Sequence, residues 1–270
     1  MNLNFIKMEA LSNDYIYIDM IENRNVNVAD IRAWAPMLSD RHKGIGGDGV
    51  ITLDATNASN GEISTRIFNS DGTEAEMCGN GLRCIAQLAY DRVYTKGKNE
   101  FDILLKKTSR KVRAFVEGDS VTINMGPAIM EREGSVEFNG EKIAYTAINI
   151  GNPHAVIFTK NIESINIEEL GSFIENHEHF PQRTNVEFVN IIDKDNINMR
   201  VWERGAGETM ACGSGACASV AVAINKSLCN DRVNVNMPGG MATVSRKGES
   251  MYLTGPVNYV FKGEYLIRIQ

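Results

Sequence analysis

Followed for its alternation of apolar and polar positions, the chain runs through one series of elements twice. Each half opens with a short run of β-branched and aromatic residues, Tyr15-Ile-Tyr-Ile18 in the first and Ala155-Val-Ile-Phe158 in the second, which predicts a strand. A helix is expected next, over about Val28–Ser39 and about Ile167–His177, where Asn166 and Glu169 form a capping pair. Further strands are expected at Glu62–Phe68 and Val121–Met125, and again at Ile197–Trp202 and Val233–Val235. Leu82, Ile85, Ala86, Ala89 and Val93 recur at helical spacing, and the run from Ala216 to Ile224 is apolar all round and made of small residues, as in a buried, closely packed helix. The class is α/β in the broad, α+β sense.

The two halves also share residues. Arg66-Ile-Phe-Asn-Ser-Asp-Gly-Thr-Glu-Ala-Glu-Met-Cys78-Gly-Asn-Gly81 is answered 134 residues on by Arg200-Val-Trp-Glu-Arg-Gly-Ala-Gly-Glu-Thr-Met-Ala-Cys212-Gly-Ser-Gly215. Ser12-Asn13-Asp14 is answered by Gly151-Asn152-Pro153-His154, Gly126-Pro127 by Gly255-Pro256, and Asp91-Arg92-Val93 by Asp231-Arg232-Val233. The period is too long for a solenoid, so the chain reads as two homologous lobes packed without a low-complexity linker.

Composition narrows the partners. With 28 basic against 34 acidic side chains the net charge is −6, which leaves no basic surplus for nucleic acid or an anionic membrane. The longest run free of charge and strong polarity, around Ala216–Ile224, is too short for a bilayer, and Met1–Asp19 lacks a signal-peptide layout, so a soluble, cytoplasmic protein is expected. Five cysteines, an odd number, do not form a disulfide scaffold in such a protein; they are buried thiols, reactive thiols or metal ligands.

Cys78 and Cys212 each precede Gly-x-Gly at the mouth of an expected helix. Glycine lets the backbone turn sharply, and the free amides of a helix's first turn favour an anion, whether a thiolate or a substrate carboxylate. An ordinary thiol with a pKa of ~8.5 is only about 3% ionised at pH 7. Two such turns would face each other across the lobe interface. One thiolate and one thiol could then move a proton from one face of a carbon to the other. A disulfide between the two would be an oxidised, inactive form. Cys84, Cys217 and Cys229 lie on or just after apolar helical stretches and read as core residues, while Cys-x5-Cys and Cys-x4-Cys lack the usual zinc spacing. No metal is expected.

Gly44-Ile-Gly-Gly-Asp-Gly49 fits a dinucleotide pattern, but the strand-like Val50–Leu53 behind it makes it a glycine-rich turn. His154 either orients a carboxylate or caps a loop, and Glu203-Arg204 is either a surface ion pair or part of the site beside Cys212. Asn185 has turn potential, and His177 and His179 sit at a helix end with no role.

These motifs resemble those of the diaminopimelate epimerase family. The resemblance is carried by Phe68–Cys84 and Trp202–Cys217, by Arg41-His-Lys-Gly-Ile-Gly-Gly-Asp-Gly49, by Gly151-Asn-Pro-His154 and by Phe180-Pro-Gln-Arg-Thr-Asn-Val-Glu-Phe188, and it runs from Asn13 to Gly255. It implies two pseudo-symmetric lobes, each a β-barrel-like sheet around a central helix. The C-terminal strand would return to the first lobe, giving 1–124 plus 258–270 with Cys78 and 125–257 with Cys212. It further implies a cofactor-independent enzyme that interconverts LL- and meso-diaminopimelate on the route to lysine and peptidoglycan, usually as a homodimer. Cys78 and Cys212 match the family's two bases. Substrate contacts match Asn13, Asn69, Gly79, Asn80, Asn152, Asn185, Glu203, Arg204, Gly213 and Ser214, with His154 near the reacting centre.

Diaminopimelate has an amino acid head at each end, so one head must be held while the other reacts. Arg204 suits the distal carboxylate, and Glu203 and the asparagines suit its ammonium. Glu9 departs from the family pattern by placing a carboxylate near Asn13. The rival readings are a racemase of another amino acid on the same fold and, from a different class, a redox or ligand-binding protein. Proline racemase-like chains carry Asp-Arg-Ser-Pro before the second cysteine, where this chain has Glu208-Thr-Met-Ala211.

Overall fold

The computed structural model describes residues 1–57 and 62–267 and divides into two compact units, Met1–Ile123 with Gly255–Gln270, and Asn124–Thr254. The last three residues of the C-terminal segment expected in the first lobe lie outside the described residues. The chain is mixed α+β, with strands outnumbering helices.

In the first unit β1 (Asn2–Ala10) lies between β18 (Asn258–Leu266) and β2 (Asn13–Asp19), antiparallel to both. After α1 (Val28–Ser39), β3 (Gly49–Asp54) adds parallel to β2, and β4 (Ile63–Asn69) antiparallel to β3. The short β5 (Glu74–Ala75) folds back on β4, and α2 (Gly79–Asp91) follows. Then β6 (Glu100–Leu105) runs parallel to β4 and continues antiparallel through β7 (Arg110–Glu117) to β8 (Ser120–Pro127).

The second unit repeats these pairings step for step. β9 (Ile129–Phe138), β10 (Glu141–Asn149) and β11 (Pro153–Phe158) are antiparallel neighbours. Past α3 (Ile167–Glu175), β12 (Asn185–Ile191) is parallel to β11 and β13 (Asn196–Glu203) antiparallel to β12. β14 (Gly207–Thr209) folds back, α4 (Gly213–Asn225) follows, and β15 (Arg232–Met237), β16 (Gly240–Lys247) and β17 (Ser250–Pro256) complete the series. β9 is thus the counterpart of β18.

The second helix of each unit is its core. α2 is buried from Gly79 to Ala89 and packs on β1, β2, β3, β4 and β7; α4 is buried but for Ser214 and its last residue and packs on β10, β11, β12 and β16. Strands so far apart in a sheet touch one helix only if the sheet curls round it. The outer helices are amphipathic by contrast: α1 buries Ile31, Ala35 and Leu38, and α3 buries Ile167, Leu170 and Ile174. Asn27 with Asp30 and Asn166 with Glu169 cap their N-termini, each cap being worth ~1 kcal/mol. α3 stops at Glu175, two residues short of the expected end: Asn176 has left helical angles (φ −100°, ψ 5°), and His177 N–H closes a tighter turn on Ile174 O at 3.1 Å.

One landmark of the repeat does not correspond in space. Asp91 ends α2, whereas Asp231 and Arg232 enter β15, so these triplets occupy different stations of their units. The other landmarks coincide: Pro127 and Pro256 both end the last strand of the series. Among the described residues no helix is long and apolar enough to cross a membrane.

Candidate active site

Cys78 and Cys212 are the N-cap residues of α2 and α4. Both have extended backbones (φ −143° and −125°), and both thiols sit on the third amide of their helix, Gly81 N at 3.3 Å and Gly215 N at 3.4 Å. The carbonyls of the two cysteines open the helices by accepting from Leu82 N and Ala216 N, each at 2.9 Å. Sulfur thus occupies the place usually taken by a Ser or Asp oxygen, where a helix N-terminus stabilises negative charge. None of the five cysteines is in a disulfide. Cys84, inside α2, has its thiol pushed up to about 12 by burial, as suits a core residue.

Around Cys78 the polar partners come from the ends of neighbouring strands. Its thiol donates to Asn13 Oδ1 at 3.3 Å, and Asn13 Nδ2 donates to Asp48 Oδ2 at 2.6 Å. Asp48 also accepts from Asp14 N (3.0 Å) and pairs with Arg41 (2.9 Å). An ionised carboxylate only accepts, so Asp48 turns the amide group of Asn13 toward itself and the carbonyl toward the thiol. Asp14 in turn binds Arg41 and the buried Lys7, each at 2.6 Å, and Lys7 also donates to Gly46 O. Burial pushes the Asp14 carboxyl up, but the hydrogen bonds from Arg41 and Lys7 outweigh it and hold the carboxyl below its usual range. Asn80, in the first turn of α2, is 2% exposed, and its Oδ1 has no hydrogen-bond partner among the described residues. Asn69 ends β4 and closes the following turn by donating to Thr73 Oγ1 at 3.0 Å.

Cys212 is more deeply set, 6% exposed, and its surroundings are acidic. Glu203, at the end of β13, accepts a hydrogen bond from Thr209 Oγ1, and its charge bears on the Cys212 thiol. Burial nevertheless leaves the Glu203 carboxyl above its ordinary value. Burial, then Glu203, then Glu187 push the Cys212 thiol up as well. Glu187 and His154 form a fully buried pair, Oε1 to Nδ1 at 2.6 Å, with both side chains 0% exposed. The other ring nitrogen of His154 meets Asn152 Oδ1 at 3.0 Å, Asn152 Nδ2 lies 3.4 Å from Ser214 Oγ, and Ser214 Oγ lies 3.5 Å from Cys212 Sγ. Asn185 Oδ1 accepts from Arg204 N at 3.0 Å while its amide donates to Pro153 O at 2.8 Å. Of the residues singled out in this half, His154, Asn152 and Ser214 form one hydrogen-bonded chain to Cys212, Gly213 follows it in the first turn of α4, Asn185 and Arg204 form a second hydrogen-bonded pair, and Glu203 is tied to Thr209.

Glu203 and Arg204 do not form an ion pair with each other: Glu203 turns in to Thr209, and Arg204 Nη1 donates to Gln182 O at 3.2 Å. His154 meets a carboxylate, that of Glu187, through one ring nitrogen and the loop residue Asn152 through the other. Glu9 is taken up by its own hairpin: it accepts from Ser12 N at 2.9 Å and from Asn258 Nδ2, bracing a turn whose Leu11 and Ser12 have φ of 57° and 65°. Lys7, Asp48 and Glu187 were not singled out from the sequence. An acid set in the strand Asn-Val-Glu-Phe-Val was the available sign of Glu187. Among the described residues no cluster of His, Cys, Asp or Glu is placed to hold a metal ion.

The family model for diaminopimelate epimerase matches residues 5–131 and 146–260. Diaminopimelate epimerases are similar end to end: that of Methanococcus maripaludis is 38% identical over 280 residues (97% of this chain, 99% of the relative), and that of Leptospira biflexa is 39% identical over 291 residues (98% and 99%). A phenazine biosynthesis protein from Bacillus anthracis superposes with a TM-score of 0.76 at 14% identity, covering 99% of this chain and 100% of the other. A hydroxyproline epimerase from Agrobacterium vitis, solved with trans-4-hydroxy-L-proline, gives 0.71 at 13% identity, covering 97% and 92%. At such identities the solved structures share the fold alone. Together with cysteines that cap both central helices, the sequence matches over both halves establish that the chain belongs to the diaminopimelate epimerase family.

Proposed function

We propose that this chain interconverts LL- and meso-2,6-diaminopimelate by passing the α-proton through the thiols of Cys78 and Cys212, without a cofactor, on the route to lysine. The observation that carries the reading is the paired capping geometry, each thiol on the amide of a helix's first turn. One cysteine, as thiolate, takes the α-hydrogen as a proton, and the electron pair of the broken C–H bond spreads into the adjacent carboxylate. The other cysteine gives its proton to the opposite face, so the two thiols end with their protonation exchanged. Helix amides at Gly79, Asn80, Gly213 and Ser214 stabilise the charge that develops on that carboxylate. Arg204 binds the distal carboxylate, and Asn13, Asn69, Asn152, Asn185 and Glu203 complete the contacts to the two amino acid heads.

Proton NMR of LL-diaminopimelate in D2O with reduced protein tests this. Deuterium is expected at the α-carbon as the meso isomer forms, and Cys78→Ala and Cys212→Ala are each expected to slow it at least ~10³-fold. Exchange that survives in both variants would remove the thiols from the chemistry. Activity confined to another amino acid would remove the substrate.

The enzyme acts in the cytoplasm as a homodimer on this reading. The edge strand β18 exposes Tyr259, Val260, Phe261 and Leu266 together, an apolar edge that suits a second copy. Sedimentation is expected to give twice the chain mass of 29.8 kDa; a monomer would set the dimer aside.

A further inference from the structure

Glu175 is the last residue of α3, and it is 2% exposed. A carboxylate is disfavoured there twice, by the loss of water and by the negative end of the helix dipole. Three donors nevertheless converge on it. Trp202 Nε1 donates to Oε2 at 2.7 Å, Gly205 N donates to Oε1 at 2.7 Å, and the Arg183 guanidinium pairs with Oε1. Two of these donors bracket Glu203 and Arg204 in the chain.

The matching turn of the first unit shows why such a brace is needed. By strand register Phe68 corresponds to Trp202, so the turn Asn69–Thr73 corresponds to Glu203–Gly207. Both turns close a backbone bond, Gly72 N to Asn69 O at 2.9 Å and Ala206 N to Glu203 O at 3.0 Å. The first is also tied by its own side chains: Asp71 Oδ1 accepts from Thr73 N at 2.8 Å and from Thr73 Oγ1 at 2.6 Å. In the second, the places of Asp71 and Thr73 are taken by Gly205 and Gly207, both at positive φ (80° and 86°), and no side chain there can close the turn. The tie comes instead from below, from Glu175, and an indole that can donate stands where the first unit has a phenyl ring.

We infer that Glu175 is a positioning residue that fixes the Glu203–Arg204 turn for the distal head of the substrate. The inference rests on the proposed contact of Arg204 with that head. Glu175→Gln keeps the size but turns an NH2 group toward a donor. It is expected to raise KM for LL-diaminopimelate about 10-fold or more while kcat stays within about 3-fold. Trp202→Phe, which removes the indole donor and restores the ring of the first unit, is expected to shift KM in the same direction. Trp202 emission is expected to change in Glu175→Gln against the constant signal of Trp34, the other tryptophan. Arg204→Met separates the two levels of the argument. If it raises KM while Glu175→Gln and Trp202→Phe do not, or if their losses fall on kcat alone, Glu175 has no positioning role. If Arg204→Met leaves KM unchanged, the turn does not meet the substrate. Should Glu175→Gln fail to fold by circular dichroism, Trp202→Phe decides.

Discussion

At the register position that Ile51 fills under Gly81, the second unit has Glu187 under Gly215, and where Tyr15 stands on the neighbouring strand it has His154. A Cβ added to Gly81 would meet Ile51 Cδ1 at 2.5 Å; one added to Gly215 would meet Glu187 Oε1 at 2.7 Å. The backbones, the capping cysteines and the pairings match, so the difference lies in which side chains hold the sulfur's surroundings. Cys78 has an apolar floor, and its polar neighbours come from the rim, through Asn13, Asp48 and Arg41. Cys212 has a buried histidine–carboxylate pair behind it and a second carboxylate, Glu203, beside it. A duplicated scaffold thus gives two thiols of similar placement in differently charged surroundings, and burial with the two carboxylates pushes the Cys212 thiol up.

The contrast can be attacked first through the two glycines. Gly81→Ala asks a flexible methyl to move, the kind of overpacking that costs about 1–3 kcal/mol. Gly215→Ala pushes on a carboxylate pinned by His154, and separating a buried pair costs about 3–5 kcal/mol. Denaturant unfolding is expected to show the larger loss for Gly215→Ala, and equal losses would break the comparison. A smaller effect lies in the thiols themselves. With iodoacetamide at pH 8, peptide mapping is expected to find Cys78 modified about 10-fold faster or more than Cys212. The raised Cys212 thiol ionises only at higher pH, so its rate is expected to go on climbing above about pH 9. The opposite order of reactivity would overturn the assignment of the more acidic surroundings to Cys212.

Much of this was legible in the residues because the signals were local. The helix-mouth cysteines, the cap at Asn166 and the small-residue helix after Gly215 each follow from a few adjacent positions, and the repeat multiplied every one of them by two. What escaped depended on distant partners. Asp48 looks like part of a glycine-rich turn until Asn13 is seen to donate to it across 35 positions. Glu187 looks like a solvent-facing strand residue until His154 arrives from a parallel neighbour. The Asp91 and Asp231 triplets show the opposite failure: similar residues at a similar offset that the different connections after α2 and α4 place at different stations. Glu203-Arg204, adjacent and of opposite charge, suggests an ion pair, but Glu203 ends β13 and Arg204 opens the turn after it, so Glu203 found Thr209 while Arg204 found Gln182.

The return of β18 to β1 has a bearing on how the chain comes off the ribosome. The unit that holds Cys212 has been made once Thr254 is added, and its hairpins β9–β10 and β15–β16–β17 join strands next to each other in the chain. The unit that holds Cys78 must wait, with one side of β1 uncovered, until residues more than 240 positions away arrive to pair Asn2 with Leu266 and Met8 with Tyr259. Its closure therefore has the longest loop in the molecule to overcome and comes last. Until then the exposed edge of β1 is the place where a nascent chain of this protein is most open to wrong pairing, and to whatever chaperone guards against it.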